Sequence, residues 1–145
     1  MSMTPETAYV QGGYANYGGV WGAYLPVIYA FKDKLTYLHV QLYNSGPIEA
    51  LDGRNYSQGT PDFLVSMSDM LLQGFPVGRN TSQMFPVLKP EQVLIGLPAS
   101  RQAASGGIPP RRMYKRPLPT WSVNWDKFNN NEFSGSHRPF LDNLK

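Results

Sequence analysis

One alternating run of apolar and polar residues marks a strand in the first third of the chain. Over residues 37–43, Leu38, Val40 and Leu42 occupy every second position, and tyrosine, histidine and glutamine occupy the others. Successive side chains of a strand point to opposite faces. The pattern therefore predicts a strand with one face in the core.

A helical pattern follows this strand. Thr60 is a good N-cap, Pro61 suits the first helical position, Asp62 lies near the positive end of the helix dipole, and Gly74 suits a terminator. These signals predict a helix over residues 61–73. The apolar residues of this helix form one stripe suited to packing on a sheet: Phe63, Leu64, Met67, Met70 and Leu71.

Weaker patterns complete the order of elements. Residues 23–34 suit a short helix in which Pro26 falls in the first turn. Residues 93–97 and 118–123 suit two buried strands, and residues 98–117 show no apolar periodicity, so no helix is predicted there. Strands alternating with helices indicate an α/β fold with a parallel sheet.

Composition limits the domain count and the possible chemistry. With 145 residues and 41% hydrophobic content, we expect a single domain over residues 1–145. Because there is no cysteine, and His39 and His137 are far apart in sequence, we expect no metal site and no cofactor. No apolar run is long enough for a membrane span, and no signal peptide is recognisable, so no membrane partner is expected.

The net charge of +3 comes largely from a basic run near residue 110. Arg111, Arg112, Lys115 and Arg116, with Tyr114 among them, could contact phosphates. Loops of this kind are usually solvated, so we expect no nucleic-acid partner.

Four segments together resemble the bacterial chitinases of glycoside hydrolase family 18. The segments MSMTPETAYVQGG (1–13), VQLYNSG (40–46), QVLIGLPAS (92–100) and TWSVNWD (120–126) are similar to strands five to eight of that family's barrel. A complete (β/α)8 barrel needs about 250 residues. The resemblance therefore implies a partial TIM (β/α)8 barrel, the C-terminal half of the catalytic domain. The helix between strands seven and eight is apparently missing, and residues 101–119 form a shortened loop rich in Gly, Pro and Arg.

The resemblance also implies a sugar-binding site. By this resemblance, Tyr43 would donate a hydrogen bond to the acetamido oxygen of N-acetylglucosamine, and Gln41 and Asn44 would bind the same sugar. A tyrosine packed in the core is the alternative for Tyr43. For His39, an interior histidine with satisfied hydrogen bonds is favoured over a catalyst.

Three further residues join the site by resemblance. Trp121 would form the floor under the sugar ring, with ordinary packing as its alternative. Met3 would line the site, and Glu6 would give polar support. Trp21 and Trp125 are expected to line loops.

The chain lacks the acid that cleaves the sugar bond in this family. Family members carry the motif D-x-x-D-x-D-x-E, and their substrate's acetamido oxygen replaces a carboxylate nucleophile. None of Glu6, Glu49, Glu91 and Glu132 ends such a run. The function indicated is a chitinase-type glycosidase domain that hydrolyses β-1,4-linked N-acetylglucosamine and is inactive by itself. The alternatives are a chitin-binding module without catalysis and an inactive truncated product.

Half a barrel would have two open strand edges. We therefore expect a complementary half-barrel or a second copy of the chain as partner, besides chitin or N-acetylglucosamine oligosaccharides. The resemblance implies a secreted protein.

Overall fold

A computed structural model of the chain describes residues 1–105 and 120–143. The strands and helices in these residues are, in order, β1 (Ser2–Met3), α1 (Leu25–Phe31), β2 (Tyr37–Gln41), β3 (Ile48–Glu49), β4 (Asn55–Tyr56), α2 (Pro61–Gln73), β5 (Phe75–Val77), β6 (Asn80–Phe85), β7 (Val93–Pro98), β8 (Thr120–Trp121), α3 (Val123–Phe128) and α4 (Glu132–Asp142). Four single 3-10 turns are also present: Thr7–Tyr9, Gln11–Gly13, Lys32–Lys34 and Pro90–Gln92.

Four strands form one parallel sheet in the order β1-β2-β7-β8. Gln41 of β2 pairs with Gly96 of β7, and Pro98 of β7 pairs with Trp121 of β8. Parallel neighbours need crossover connections, and those between β1 and β2 and between β2 and β7 carry α1 and α2. This is the arrangement of part of a (β/α)8 barrel, which confirms the predicted fold class. β1 and β8 are the edges of the sheet.

The core lies between this sheet and its helices. Leu38, Val40 and Leu42 are buried, as their alternation predicted, and α2 packs against β7. All five residues of the α2 stripe are buried: Phe63, Leu64, Met67, Met70 and Leu71.

Helix α2 begins and ends where its local signals predicted. The Thr60 hydroxyl oxygen accepts a hydrogen bond from the backbone N–H of Phe63 at 3.2 Å, and Pro61 occupies the first turn. Gly74 ends the helix with φ of 73°, and a β-carbon there would lie 2.6 Å from the Phe85 carbonyl oxygen. Only glycine fits that position without displacing the backbone.

The predicted helix over residues 23–34 is a shorter helix with a different ending. α1 covers Leu25–Phe31, with Pro26 in its first turn, and the chain continues as the 3-10 turn Lys32–Lys34. Leu25 and Ile28 are its buried residues.

Two antiparallel hairpins, which the patterns did not predict, flank α2. β3 pairs with β4, and β5 pairs with β6 through a two-residue turn in which Gly78 and Arg79 have φ of 58° and 60°. Positive φ at both central positions is typical of a type I′ turn, which matches the twist of the strands. The rings of Phe75 and Phe85 stack across this hairpin, with centroids 4.9 Å apart.

The final strand ends before the predicted end at residue 123. Residues 118 and 119 of the predicted strand lie outside the described residues. β8 covers Thr120–Trp121, Ser122 is the N-cap of α3, and Val123 is helical. The buried Asp126 lies in this helix. Its carboxylate accepts hydrogen bonds from the N–H groups of Phe133 at 2.9 Å and Ser134 at 3.2 Å, which binds α3 to the start of α4.

Residues 106–119 lie outside the described part of the chain. Most of the predicted loop over residues 101–119 falls in this segment, and so does the place where the family's helix between strands seven and eight was expected to be missing. The segment also contains the basic run with Arg111, Arg112, Lys115 and Arg116. Among the described helices, none is both long and apolar enough to cross a membrane.

Candidate functional site

Most of the predicted site residues lie at the carboxyl ends of the parallel strands, along the side of the sheet where these strands end. The backbone N–H of Leu42 donates to the Gly96 carbonyl oxygen at 3.0 Å, so pairing continues past the end of β2. Following this register, Tyr43 lies level with Pro98, which pairs with Trp121. Tyr43 and Trp121 therefore end their strands at the same height, with β7 between them.

The register also decides which residues share a face. Glu6 forms a parallel bridge with Gln41, so Glu6, Gln41 and Tyr43 lie on the same face of the sheet. Met3 instead pairs with the buried Leu38 and packs against the hydrophobic core. The structure thus places Met3 on the helix-covered face, away from Gln41 and Tyr43, unlike the lining role inferred from resemblance.

Tyr43 has the surroundings of a neutral hydrogen-bond donor. Its side chain is 7% exposed. Burial raises the pKa of the Tyr43 hydroxyl, and the negative charge of Glu6 raises this pKa further. Both effects act in the same direction and disfavour the phenolate.

Three hydrogen bonds hold Gln41 against the segment after β1. Its backbone N–H donates to the Pro5 carbonyl oxygen at 2.9 Å, and its side-chain Nε2 donates to the Thr4 carbonyl oxygen at 2.8 Å. The Thr7 hydroxyl donates to the Gln41 carbonyl oxygen at 2.7 Å. The side-chain amide therefore has a fixed orientation at this edge.

Asn44 joins the end of β2 to the loop after β7. Its Oδ1 accepts from the backbone N–H of Ser105 at 2.9 Å and from the Ser105 hydroxyl at 3.1 Å. Gln58 donates to the same hydroxyl at 3.1 Å and accepts from the N–H of Ser45 at 2.8 Å. Because Oδ1 serves the fold, a sugar contact would fall to the Asn44 amide nitrogen.

Asn44 also has φ of 54°, which few residues adopt as readily as asparagine. Sequence reasoning missed Ser105 and Gln58 as supports of Asn44, since no local pattern relates these three distant positions.

Trp121 presents an open aromatic surface. Its side chain is 57% exposed, and its carbonyl oxygen accepts from the N–H of Ala99 at 2.9 Å. Trp125 is half-buried, packs against the core and contacts Phe128 edge to face at 5.8 Å. Trp121 is thus the tryptophan of this pair that is free to contact a ligand.

The two histidines serve packing. A β-carbon at Gly96 would lie 2.6 Å from Nε2 of His39, so the ring of His39 occupies space that only glycine leaves open. Burial lowers the pKa of His39, which favours the neutral form of the ring. His137 stacks on Phe133 at 4.3 Å, with Nδ1 2.7 Å from the Phe133 carbonyl oxygen. In the part of the chain that the structure describes, no three His, Asp or Glu residues are grouped as metal ligands.

The chain is similar in sequence to known chitinases. No family model matches the sequence. The chain is 49% identical over 171 aligned positions to Chitinase D of Niallia circulans, which covers 99% of this chain and 33% of that protein. It is 44% identical to Exochitinase 1 of Streptomyces olivaceoviridis, over 92% of this chain and 28% of that protein.

Solved structures give a similar result. The crystal structure of a family GH18 chitinase from Chromobacterium violaceum superposes with a TM-score of 0.86 and 36% identity, covering 97% of this chain and 44% of that one. The chain therefore spans about a third of the length of the two relatives named above and less than half of the solved chain.

Proposed function

Since the chain belongs to glycoside hydrolase family 18 and corresponds to the C-terminal half of its catalytic barrel, we propose that it supplies the sugar-holding half of a chitinase active site. The substrate is β-1,4-linked N-acetylglucosamine, as in chitin. Residues 1–145 act as one partial domain in this proposal.

The observation that carries the proposal is the position of Tyr43, a buried residue at the carboxyl ends of the parallel strands, level with Trp121 on the other side of β7. Active sites of (β/α)8 barrels lie at these strand ends. In substrate-assisted hydrolysis, the acetamido oxygen attacks the anomeric carbon, and a donor must orient that oxygen. Tyr43 is that donor, while Gln41 and Asn44 hold the acetamido group and Trp121 stacks under the sugar ring. Glu6 gives polar support.

The proton for the leaving oxygen comes from outside the chain in this proposal. The ten Asp and Glu residues of the chain do not form the family's D-x-x-D-x-D-x-E motif at any position. Among residues 1–105 and 120–143, no strand pairs with the outer side of β1 or of β8, and β1 is where a preceding strand of the barrel would pair. A complementary half-barrel that carries the acid is the partner we infer, and a second copy of the chain is the alternative.

The first experiment measures assembly and binding of the purified chain. Light scattering gives the oligomeric state, and isothermal titration with a chitin oligosaccharide gives affinity. We expect binding that Trp121→Ala weakens and that Phe128→Ala, at another exposed aromatic residue, leaves unchanged. Absence of binding by a folded chain would refute the proposal.

Turnover is tested separately. We expect no hydrolysis of the oligosaccharide by the chain alone, and hydrolysis after addition of a polypeptide that carries the first four strands with the acid motif. Turnover by the chain alone would contradict the role of an external acid.

A second candidate function is a chitin-binding module without catalysis. The chain lacks the D-x-x-D-x-D-x-E motif but keeps Tyr43 and Trp121, and this combination favours a binding module. Affinity that persists without turnover, even with the complementary polypeptide present, would select this function. A chain that neither binds nor hydrolyses the oligosaccharide would be an inactive product.

Both candidate functions imply a protein outside the cell, where polymeric chitin is accessible. Fractionation of producing cells tests this location.

A further inference from the structure

Asn44 is the last member of a chain of hydrogen bonds that runs across the ends of the parallel strands. Asn44 and Ser45 follow β2, Gln58 lies between β4 and α2, and Ser105 follows β7. The backbone N–H of Ser45 donates to Oε1 of Gln58 at 2.8 Å, and Nε2 of Gln58 donates to the Ser105 hydroxyl oxygen at 3.1 Å. The same hydroxyl donates to Oδ1 of Asn44 at 3.1 Å. The hydrogen-bond chain therefore joins three loops and ends at a residue of the candidate site.

A backbone N–H group fixes the direction of the hydrogen bonds at each end of this chain. Such a group can only donate, so the side-chain atom that faces it must be an acceptor. The Ser45 N–H faces Gln58 at one end, and the Ser105 N–H faces Oδ1 of Asn44 at 2.9 Å at the other. Each side-chain amide therefore has its oxygen towards a backbone N–H. The Ser105 hydroxyl accepts from Gln58, and its own proton is left for Asn44.

The result is a fixed polarity at Asn44. Its Oδ1 accepts from both donors of Ser105, and its backbone N–H donates to the Ser105 carbonyl oxygen at 3.2 Å. Turning the side-chain amide over would place the N–H donors of Nδ2 against the two donors of Ser105, and those donors would lose their acceptor. Asn44 is exposed, so a ligand at this position meets Nδ2, which donates and cannot accept.

We propose that Ser105 and Gln58 are positioning residues that make Asn44 a hydrogen-bond donor, and that this polarity selects an N-acetyl group over a free amine on the sugar. The acetamido carbonyl oxygen has two acceptor positions, enough for the Tyr43 hydroxyl and the Asn44 amide. The protonated amine of deacetylated glucosamine has only donors, and these would face the donors of Nδ2. This inference rests on the proposed function, because it assumes that Asn44 contacts the acetamido group.

The test is a double-mutant cycle on the full chain, measured by isothermal titration with a chitin oligosaccharide. We expect Ser105→Ala to weaken binding about two- to fivefold, within the contribution of one neutral hydrogen bond. Asn44→Asp replaces the amide by a carboxylate with two equivalent oxygens, so no polarity is left for Ser105 to fix. In the Asn44→Asp chain, Ser105→Ala should therefore cause no further loss. Ser82→Ala, at an exposed serine of β6, is the matched control and should leave affinity unchanged in both chains.

Asn44→Asp by itself tests the selectivity. We expect it to weaken binding of the chitin oligosaccharide about three- to tenfold, and to strengthen binding of the glucosamine oligosaccharide, because its carboxylate accepts from the ammonium groups. Both titrations are made at high salt, which screens the general attraction between opposite charges. Gln58→Ala should lower the affinity for the chitin oligosaccharide less than Ser105→Ala, since Gln58 acts through the Ser105 hydroxyl.

A second measurement uses the unaltered chain and does not depend on the folding of any variant. In the ¹⁵N-labelled protein, the side-chain NH₂ signals of Asn44 should shift when the chitin oligosaccharide binds and stay in place with the glucosamine oligosaccharide. Signals that stay in place while the chitin oligosaccharide binds would refute the donor role of Asn44.

The outcomes separate this inference from the proposed function. Equal losses from Ser105→Ala in the presence of Asn44 and in the Asn44→Asp chain would show that Ser105 only supports its loop, and would overturn the positioning role. Unchanged selectivity in Asn44→Asp would overturn it as well. In both cases the proposed function stands, provided that binding still depends on Trp121. If the folded wild-type chain binds no oligosaccharide, both proposals fail.

Discussion

Replacing Tyr43 with phenylalanine removes one oxygen atom from the buried end of β2. The ring remains, and since the side chain is 7% exposed, the packing around it is kept. We therefore expect the free energy of unfolding to change by no more than about 1.5 kcal/mol, the net value of one hydrogen bond. The expected effect is on sugar binding.

The size of the binding loss follows from what replaces the hydroxyl. A neutral hydrogen bond contributes about 0.5–1.5 kcal/mol net, which corresponds to about a two- to twelvefold change in affinity. If the acetamido oxygen of the sugar were left buried without a donor, the loss would reach about 3 kcal/mol. Trp121 is 57% exposed, so this edge is open to water in the chain alone. We expect the smaller loss, of about three- to tenfold.

Isothermal titration of the wild-type and Tyr43→Phe chains with one chitin oligosaccharide measures this loss. Urea unfolding of both chains tests whether the free energy of unfolding changes by no more than about 1.5 kcal/mol. The same titration with an oligosaccharide of deacetylated glucosamine tests the mechanism, because that ligand lacks the acetamido oxygen. Tyr43→Phe should then have little effect. Equal losses with both ligands, or no loss with either, would refute the assignment of Tyr43 to the acetamido group.

Two further predictions concern neighbours of this edge. Glu6→Gln removes the negative charge that raises the pKa of Tyr43, so this pKa should fall towards its ordinary value of 10.0, and the phenolate should form at lower pH. NMR titration of labelled tyrosine measures this, and an unchanged pKa would contradict the proximity of the two groups. Gly96→Ala places a β-carbon 2.6 Å from the ring of His39 and 3.0 Å from the Val40 carbonyl oxygen, and should destabilise the fold by about 1–3 kcal/mol in urea unfolding. Adding His39→Ala should restore part of that loss, and strict additivity of the two changes would show that the ring is not the obstacle.

Local sequence signals were sufficient to predict α2 and β2, because neighbouring residues along the chain define these elements. Thr60, Pro61 and Gly74 set the ends of α2, because an N-cap and a positive-φ terminator act within one helical turn. The alternation of Leu38, Val40 and Leu42 identified β2 for a similar reason. Resemblance placed Tyr43, Gln41 and Trp121 on parallel strands, and the register confirms that their strands are neighbours of β7 in one sheet.

Other features depend on contacts between distant segments. β3 and β4 contain two residues each, too few for an apolar period, and pairing across the hairpin defines them. The β5–β6 turn required positive φ at Arg79 as well as Gly78, which the composition of the turn does not announce.

The site shows the same division. The alternation in the sequence was enough to place Gln41 and Tyr43 at the end of β2, whereas the position of Trp121 at the end of β8 came from the resemblance. Only the tertiary structure decided that Met3 lies on the core face, because pairing with β2 sets the register of β1. It also decided that the Asn44 oxygen accepts hydrogen bonds from Ser105. These two contacts join residues 35 and 61 positions apart, and no local periodicity predicts them.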